Sequence, residues 1–373
     1  MKTLNQHQVV FGCDPEFFFS KNGKIIGAEK VLPADGLIYG KTSPQLGSIE
    51  QEGFNGTIVG DKEAGKIIID GVQAELNPRP NTCRANLGNE ISLCFRQIYK
   101  DITRSELGKA FDIDFSQTIS VSEEELATLS EKSKKFGCAP SKNTYLSEEE
   151  SSIKVNPAVY RNRSAGGHLH IGVLDAEGSL SNLAIRNPEK LVPILDIILG
   201  NTSVLIDRSE GNKERRKIYG RAGEYRTPPH GLEYRTLSNF WLQNYALMSM
   251  VTGLSRQAVC IVADGIDKEF RSAVKINKIT QAINNNDFDL AYDNFQKIEH
   301  LIADLAPSHG FFPLDSSTLD YFKHFVNRGV NYWFKDPPLE HWIKLPEGHG
   351  TGFENFLLTV VNKDMVNQKP ITP

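Results

Sequence analysis

Pairs of polar residues, separated by one residue, recur within otherwise apolar stretches of this sequence. Because alternate side chains of a β-strand point to the same face of a sheet, both polar groups of each pair would share one face. A face that carries carboxylates, imidazoles and guanidinium groups can bind cations and anions side by side. The four units are Asp14-Pro15-Glu16, Glu75-Leu76-Asn77, His168-Leu169-His170 and Glu233-Tyr234-Arg235.

The plain alternative is that these units are the solvent-exposed face of ordinary half-buried strands. Such faces usually carry Thr, Lys, Ser and Gln, whereas these units carry acids, histidines and an arginine. Glycines at 12, 166 and 167 flank two of the units and would let a backbone or a ligand approach closely. The four units together therefore favour a site. Carboxylates with imidazoles and without thiolates point to Mg²⁺ or Mn²⁺ before zinc.

A second cluster of charged residues follows between positions 219 and 235. The segment Tyr219-Gly220-Arg221-Ala222-Gly223-Glu224-Tyr225-Arg226 is followed closely by Glu233 and Arg235. Three arginines this near to two glutamates can bind phosphoryl or carboxylate oxygens by bidentate hydrogen bonds. The alternative, which stays open, is that the arginines are structural partners of Glu224 and Glu233.

Short strands joined by turns must position these residues. Glycine and proline separate the apolar stretches of the first part of the chain, which is typical of strands, and helical spacing of apolar residues follows later. This order predicts an α+β fold with an antiparallel sheet and helices to one side. Strands are predicted at 9–20, 24–32, 66–77 and 166–174, and helices at 86–103, 120–135, 188–206 and, with interruptions, 244–305.

Composition excludes several classes of protein. Among 373 residues, 39% are hydrophobic and 24% are charged, which excludes wholesale disorder and a membrane-embedded chain. The net charge of −4 gives no global basic field, so nucleic acid binding is not expected by default. Five scattered cysteines indicate a reducing compartment, and residues 1–10 lack the apolar core of a signal peptide. We therefore expect a cytoplasmic protein.

The ordered motifs resemble the carboxylate–amine ligases of the glutamine synthetase and glutamate–cysteine ligase superfamily. They resemble most the phage phiEco32-like COOH-NH2 ligase, type 2, family, over residues 8–245. The motifs that carry this resemblance are FGCDPEF at 11–17, GVQAELNP at 71–78, GGHLHIG at 166–172, and YGRAGEYR and LEYRTLSNFW within 219–241.

This resemblance implies a curved antiparallel sheet like the glutamine synthetase catalytic domain, with helices on its convex side. The concave face would bind ATP and two or three Mg²⁺ or Mn²⁺ ions. A phosphoryl group would pass from ATP to a carboxylate, and an amine would then displace phosphate to form an amide. The implied metal ligands are Asp14, Glu16, Glu75, His168 and Glu233, with His170 less favoured, and Asp14 departs from the glutamate of better-known branches.

Arginines complete the implied site. Arg235 is expected at the phosphates, and Arg221 and Arg226 at phosphate or at a substrate carboxylate. Residues 36–42 come near a phosphate-binding loop, but they are one residue short and favour a turn between strands, with Lys41 as a nucleotide contact. The domain prediction is a ligase catalytic domain at 1–245 and a helical, aromatic-rich segment at 246–373 packed on it.

Two other interpretations stay open. His168 and His170 beside Glu16 and Glu75 would also suit a metal-dependent hydrolase of amides or phosphoesters. A non-catalytic relative that binds a nucleotide or a peptide is the third. For the ligase, the partners are a carboxylate and an amine, each a small molecule or a peptide, with a modified nucleobase not excluded. A phage origin would place the protein in the host cytoplasm, and the oligomeric state is left open.

Overall fold

The fold is described from a computed structural model. It covers residues 9–34, 36–39, 65–99, 102, 111–136, 141–152, 155–157, 159–174, 180–181, 187–305 and 338–343. The predicted nucleotide contact Lys41 and most of the C-terminal aromatic residues lie outside these ranges.

Strands in the described ranges are short and all pair antiparallel. In chain order they are β1 Val9–Cys13, β2 Glu16–Lys21, β3 Lys24–Ile26, β4 Leu37–Tyr39, β5 Gly65–Asp70, β6 Gln73–Pro78, β7 Asp112–Asp114, β8 Thr118–Ser120, β9 Lys142–Asn143, β10 Asn162–Ser164, β11 Leu169–Leu174, β12 Leu180–Ser181, β13 Glu224–Arg226 and β14 Leu232–Tyr234.

Helices are concentrated in the second half of the chain. They are α1 Arg84–Ile98, α2 Glu123–Thr128, α3 Glu131–Lys134, α4 Glu148–Ser151, α5 Pro188–Leu195, α6 Asn201–Val204, α7 Glu210–Arg215, α8 Tyr245–Asp264, α9 Asp267–Ala273, α10 Ile276–Asn285, α11 Phe288–Leu305 and α12 Pro338–Ile343, with a π-helical turn at Asp196–Gly200 and a 3₁₀ helix at Asn239–Gln243.

Two six-stranded sheets form the framework. The first has the order β1-β11-β14-β13-β9, with β12 beside β11, and the second has the order β3-β2-β6-β5-β4, with β7 beside β2. A separate pair joins β8 and β10. The predicted α+β class with a curved antiparallel sheet is therefore confirmed.

One strand of the chain crosses from the first sheet to the second. It pairs as β1 with β11, continues through Asp14 and Pro15, and pairs as β2 with β6. Proline has no N–H to donate, so Pro15 suits the position where one ladder ends and the next begins. Its carbonyl still accepts a hydrogen bond of 3.0 Å from the Leu76 N–H. Asp14 and Glu16 consequently belong to different sheets, although they are two residues apart.

Helices cover the apolar face of the first sheet. Phe11, Ile171 and Leu232 are fully buried and lie in register across β1, β11 and β14. They share one continuous core with apolar residues of α1, α5 and α8. The predicted position of the helices, on one side of the sheet, is confirmed, and the opposite face is left for the polar units.

The core spans the predicted domain boundary at residue 245. Asn244 caps α8 by accepting the N–H of Ala246 at 2.8 Å, and α8 then lies within the core shared with β1 and β11. Trp342 of α12 belongs to the same core. The division at 245 stays a prediction. By length and composition alone α8 suits a membrane span, but 89% of its most apolar window is buried inside the fold, as in a core helix.

Two predicted helices differ in detail from the observed ones. The helix predicted at 120–135 is two short helices, because Leu129 is extended and Ser130 caps a new helix by accepting the Ser133 N–H. The Glu29 carboxylate accepts the Ser130 N–H at 2.7 Å, and this long-range contact stabilises the break. The helix predicted at 188–206 passes through the π-helical turn at Asp196–Gly200.

Asp196 connects the helical layer to the first sheet. It is fully buried and accepts hydrogen bonds from the hydroxyl groups of Tyr234, at 2.6 Å, and Tyr145, at 2.8 Å. Thr236 approaches the same carboxylate at 3.4 Å. Burial raises the pKa of Asp196 from 3.8 to about 7, although these hydrogen bonds oppose the rise. Because Tyr234 lies between Glu233 and Arg235, Asp196 anchors the strand that presents both.

Replacing this carboxylate should change how stability depends on pH. Since the folded pKa is raised, the contribution of Asp196 is full below about pH 4 and is lost as the pH rises through about 7. Asp196→Asn removes that loss, which amounts to at most about 4 kcal/mol. We expect the urea-unfolding free energy of the variant to fall less than that of the wild type between pH 4 and pH 8. Parallel curves for the two proteins would contradict the assignment.

Candidate functional site

Two rows of polar side chains cross the first sheet on the face opposite the core. In the first row, Gly12 pairs with His170, His170 with Glu233, and Glu233 with Arg226. The second row lies two residues further along each strand. Backbone hydrogen bonds join its outer members, from Asp14 to His168 and from Arg235 to Glu224. Its members are Asp14, His168, Arg235 and Glu224. The strand register thus assembles two whole polar units, His168-Leu169-His170 and Glu233-Tyr234-Arg235, and Asp14 of a third unit on one face.

The first cation-competent group, which we call the histidine group, contains Asp14, His170 and Glu233. One potential ligand atom from each lies within 4.8 Å of the others. The Asp14 Oδ2 is 3.1 Å from the His170 Nε2, and its Oδ1 is 3.2 Å from the His168 Nδ1. Asp14 therefore lies between the two histidines, and its short side chain reaches the group without the extra methylene of glutamate.

The second group, which we call the carboxylate group, contains Glu16, Asp70 and Glu75. Their potential ligand atoms also lie within 4.8 Å of one another. Glu16 and Glu75 are directly opposite across β2 and β6. Asp70 reaches the same face because β5 and β6 are joined by a two-residue turn that opens with Gly71 at a φ of +66°. The carboxylate group lies on the second sheet and adjoins the histidine group through Asp14-Pro15-Glu16.

Burial makes the carboxylate group costly without a counter-charge. Burial and the nearby Asp70 raise the pKa of Glu16 from 4.5 to about 8, although hydrogen bonds from Gly166 and Tyr219 oppose the rise. Burial, Asp14, Asp70 and Glu16 likewise raise the pKa of Glu75 well above its ordinary value. Like charges at this spacing cannot all ionise in a poorly hydrated site. Protons or a cation must therefore neutralise them.

Several buried polar atoms fit a bound cation. The Oδ1 of Asp14, both ring nitrogens of His168 and the Nε2 of His170 have no well-aligned hydrogen-bond partner within the described ranges. Such atoms are rare in a folded interior unless they serve a ligand. The histidine group offers one nitrogen with carboxylate oxygens, as Mn²⁺ accepts, and the carboxylate group offers oxygen alone, as Mg²⁺ prefers. The residues present therefore fit the cations that the sequence resemblance implies.

The two histidines differ in the direction of their pKa shifts and in position. Burial, with Arg235, lowers the pKa of His168 to about 4, so its ring is neutral at pH 7. Asp14 raises the pKa of His170 above its ordinary value although burial opposes the rise. Sequence reasoning favoured His168 over His170 as a ligand. The structure instead groups His170 with Asp14 and Glu233, while His168 lies fully buried beside Gly166.

Two of the three arginines contact Glu233. The Arg226 and Arg235 side chains each donate to the Glu233 Oε1 at 2.6 Å. Burial alone would raise the pKa of Glu233, but His168, Arg235 and Arg226 together lower it. Arg226 keeps 27% of its side chain exposed, whereas Arg235 keeps 2%. Arg226 is thus the accessible guanidinium group at the edge of the histidine group.

Arg221 lies apart from this pair. Its Nε donates to the Glu224 Oε1 at 3.0 Å, and one of its terminal nitrogens donates to the Ser151 carbonyl at 2.7 Å. These contacts tie the loop before β13 to the end of α4. All three arginines therefore pair with Glu224 or Glu233, as the structural interpretation of the cluster predicts, and Arg226 differs from Arg235 in keeping part of its side chain exposed. Lys41 lies outside the described residues.

The glycine pair before His168 is required by close packing. A Cβ on Gly166 would clash with the His168 ring, and a Cβ on Gly167 would clash with the Ser238 carbonyl group. The Gly166 N–H also donates to the Glu16 Oε2 at 2.6 Å. The Gly-Gly-His sequence therefore lets His168 and Glu16 approach from different sheets, in agreement with the close approach that the sequence suggested.

Sequence reasoning assigned no site role to three residues that contact the site. Asp70 received no role because an Asp-Gly sequence is typical of a turn. The signal that could have found it is the two-residue turn itself, which places Asp70 on the same face of the hairpin as Glu75. The Tyr219 hydroxyl donates to the Glu16 Oε2 at 2.9 Å. The His230 Nε2 is 2.7 Å from the His170 Nδ1, with the two rings stacked. No periodicity in the sequence signals these two contacts.

A family comparison agrees with this geometry. Residues 152–333 match the family described as phage phiEco32-like COOH.NH2 ligase-type 2. Over these residues the chain is similar to that family. The matched part contains the Gly-Gly-His-Leu-His strand, the arginine cluster and the Glu-Tyr-Arg unit, and it extends well past residue 245. This similarity supports an enzyme of the carboxylate–amine ligase type.

The chain was also compared with curated proteins and with solved structures. No curated protein matches the chain. A solved structure titled "Crystal structure of novel glutamine synthase homolog" is similar at a TM-score of 0.35 and 14% sequence identity, over 91% of this chain and 71% of the other. The acids at 14, 16, 70 and 75 lie before the segment that the ligase family matches. Their connection to the site therefore depends on the strand pairings alone.

A divalent cation should stabilise this protein more at high pH than at low pH. Without a cation, the contribution of Glu16 to stability is full below about pH 4.5 and is lost as the pH rises through about 8. A cation replaces protons in the carboxylate group and removes that loss. We expect Mg²⁺ to raise the melting temperature more at about pH 8.5 than at pH 6. Glu75→Gln should reduce the difference, and equal shifts at both pH values would contradict it.

Alanine substitutions at Gly166 and Gly12 should lower the unfolding free energy by different amounts, because only Gly166 is tightly packed against a neighbouring side chain. Gly166→Ala should lower the unfolding free energy by roughly 1–3 kcal/mol, because its Cβ would displace the His168 ring. Gly12→Ala is the matched control, since its Cβ would lie at an ordinary 3.4 Å from the His170 Cβ. Urea unfolding of both variants measures the difference. Similar values for the two would show that Gly166 carries no special packing role.

Proposed function

We propose that this protein is an ATP-dependent carboxylate–amine ligase that forms an amide bond through an acyl phosphate. The observation that carries the proposal is the junction of the histidine group and the carboxylate group at Asp14-Pro15-Glu16, beside the arginine pair at Glu233. Two cation-competent groups and a guanidinium group within one polar face suit a triphosphate better than a single metal-bound water. The family match to COOH-NH2 ligases supports the same reaction class.

The acids and His170 would hold Mg²⁺ or Mn²⁺. Bound there, such cations supply charge neutralisation for phosphate oxygens. In this proposal Asp14, Glu16, Asp70, Glu75, His170 and Glu233 are the metal ligands. Compared with the set that the sequence resemblance implies, this set adds Asp70 and His170 and leaves out His168. His168 supports Asp14 from beneath as a neutral ring, within 3.2 Å.

The arginines would have different tasks. Arg226 is the more exposed of the pair, so its guanidinium group can reach a phosphoryl or carboxylate oxygen of a substrate. Arg235 is buried and holds Glu233 at 2.6 Å, so it positions that carboxylate and adds positive charge beneath the site. Arg221 maintains the loop through Glu224 and Ser151.

In the proposed reaction, a substrate carboxylate oxygen attacks the terminal phosphorus of ATP, and ADP leaves. An amine nitrogen then attacks the acyl carbon, the C–O bond to phosphate breaks, and the nitrogen loses a proton. The products are an amide, ADP and inorganic phosphate. Neither step requires a nucleophile from the protein, so positioning and charge supply the catalysis. The substrates are a carboxylate and an amine, each a small molecule or a peptide.

A substrate-dependence assay tests this function. With ATP and Mg²⁺ or Mn²⁺, we expect ADP to be released only when a carboxylate and an amine are both supplied from a mixed pool of amino acids and short peptides. Mass spectrometry should then detect a product that has the combined mass of the two substrates less one water. Hydrolysis of amides or phosphoesters without ATP would favour the hydrolase instead.

Two arginine variants provide the matched comparison. Arg226→Gln should lower the rate of ADP release by about 100-fold or more, because it removes a positioned positive charge from the reacting oxygens. Arg221→Gln should leave most of the rate, since that side chain contacts Glu224 and Ser151 and not Glu233. Equal losses in both variants, with unchanged melting temperatures, would contradict the assignment of roles.

A further inference from the structure

Tyr219 contacts both sides of the site, although it offers no ligand atom to either group. Its hydroxyl is 2.9 Å from the Glu16 Oε2 and 3.0 Å from the Ser164 carbonyl oxygen. Its ring lies edge-on to the His168 ring, with centroids 5.9 Å apart. One side chain thus spans the carboxylate group of the second sheet and the buried histidine of the first.

The hydroxyl fixes the rotation of the Glu16 carboxylate. Two donors, the Gly166 N–H at 2.6 Å and the Tyr219 hydroxyl at 2.9 Å, point at the same oxygen, Oε2. A carboxylate oxygen of Glu16 lies within 4.8 Å of potential ligand atoms of Asp70 and Glu75. Without the hydroxyl, Oε2 would keep a single donor, and the carboxylate could turn away from its neighbours.

The ring of Tyr219 is itself fixed by two guanidinium groups. Arg215 lies over one part of the ring at 4.5 Å from its centroid, and Arg235 lies at 5.8 Å. Arg215 is fully buried and donates to the carbonyl oxygens of Arg235, at 2.9 Å, and Leu237, at 2.6 Å. Movement of the ring would therefore disturb the segment that follows Glu233. Tyr219 connects the position of Glu16 to that of the Glu233 strand.

We propose that Tyr219 is a positioning residue, which holds Glu16 in the orientation that binds a divalent cation in the carboxylate group. The inference rests on the cation sites of the proposed function and assigns to the hydroxyl a task that the family match does not. A tyrosine that served only the core would need its ring alone, or a hydroxyl bonded to backbone alone. Here the hydroxyl lies near the Ser164 carbonyl oxygen and also donates to an acid that faces two other acids. Partners of this kind orient metal ligands, and their loss weakens metal affinity.

The test compares two variants that each lose one buried hydroxyl. Tyr219→Phe keeps the ring and its stacking on Arg215 but removes the donor to Glu16. Tyr145→Phe is the matched control, since its hydroxyl also donates to a buried carboxylate, Asp196 at 2.8 Å, on the opposite side of the sheet. Free Mn²⁺ is measured by electron paramagnetic resonance during titration of each full-length protein, without ATP. This readout counts sites and gives an affinity for each without requiring turnover.

We expect the wild type to bind Mn²⁺ at two sites and Tyr219→Phe to weaken one of them by about 10- to 100-fold. Glu75→Gln, which alters the carboxylate group directly, identifies the affected site, and adding Tyr219→Phe to it should have no further effect. Tyr145→Phe should keep both affinities, although its melting temperature falls.

Three results would overturn the inference. Wild-type affinity in Tyr219→Phe would show that the hydroxyl does not orient Glu16, and equal weakening in Tyr145→Phe would show a general effect of lost packing. Both results would leave the proposed ligase intact. A wild type that binds no Mn²⁺ would contradict the cation sites themselves, and the proposed function would fail together with the inference.

Discussion

Mutual repulsion among buried carboxylates is the constraint on which this site depends. Glu16, Asp70 and Glu75 lie within 4.8 Å of one another, and Asp14 is close enough to raise the pKa of Glu75 further. A folded protein retains such a cluster only when an opposite charge offsets the free-energy cost of burying the carboxylates. In the histidine group, Arg226 and Arg235 place positive charge beside Glu233. In the carboxylate group, burial and like charges raise the pKa of Glu16 and of Glu75, which favours bound protons where no cation is present.

The fold meets this constraint by dividing the acids between two sheets. Because the chain crosses at Asp14 and Pro15, consecutive polar positions of one extended segment serve different ladders. A single flat strand would have placed both acids on the same face of one sheet. The crossing instead gives each acid its own partners and still leaves the two groups adjacent.

Residues outside the two cation-competent groups hold the side chains of the site in position. Asp196 holds Tyr234 from the core side, so the residues on either side of it, Glu233 and Arg235, face the polar side in fixed positions. Arg215 donates hydrogen bonds to the carbonyl oxygens of Arg235 and Leu237. Gly166 has no side chain, so His168 and Glu16 can approach each other. None of these groups offers a ligand to the histidine group or the carboxylate group. Their common effect is to remove the freedom of side chains that must stay close despite repulsion.

The sequence by itself determined the α+β class and the four polar units, and it determined which side chains share a face within one strand, because strand alternation is a local property of the chain. It did not show that the chain changes sheets between Asp14 and Glu16. Motif order also indicated the ligase family. Tertiary structure decided which groups meet: Asp70 joins Glu75 through a tight turn, His170 groups with Asp14 and Glu233 while the His168 Nδ1 lies 3.6 Å from the Glu233 Oε1, and Arg221 pairs with Glu224. These outcomes depend on register between strands that are distant in sequence and on side-chain rotation within a packed interior. Neither leaves a periodic signal, so a single sequence cannot reveal them.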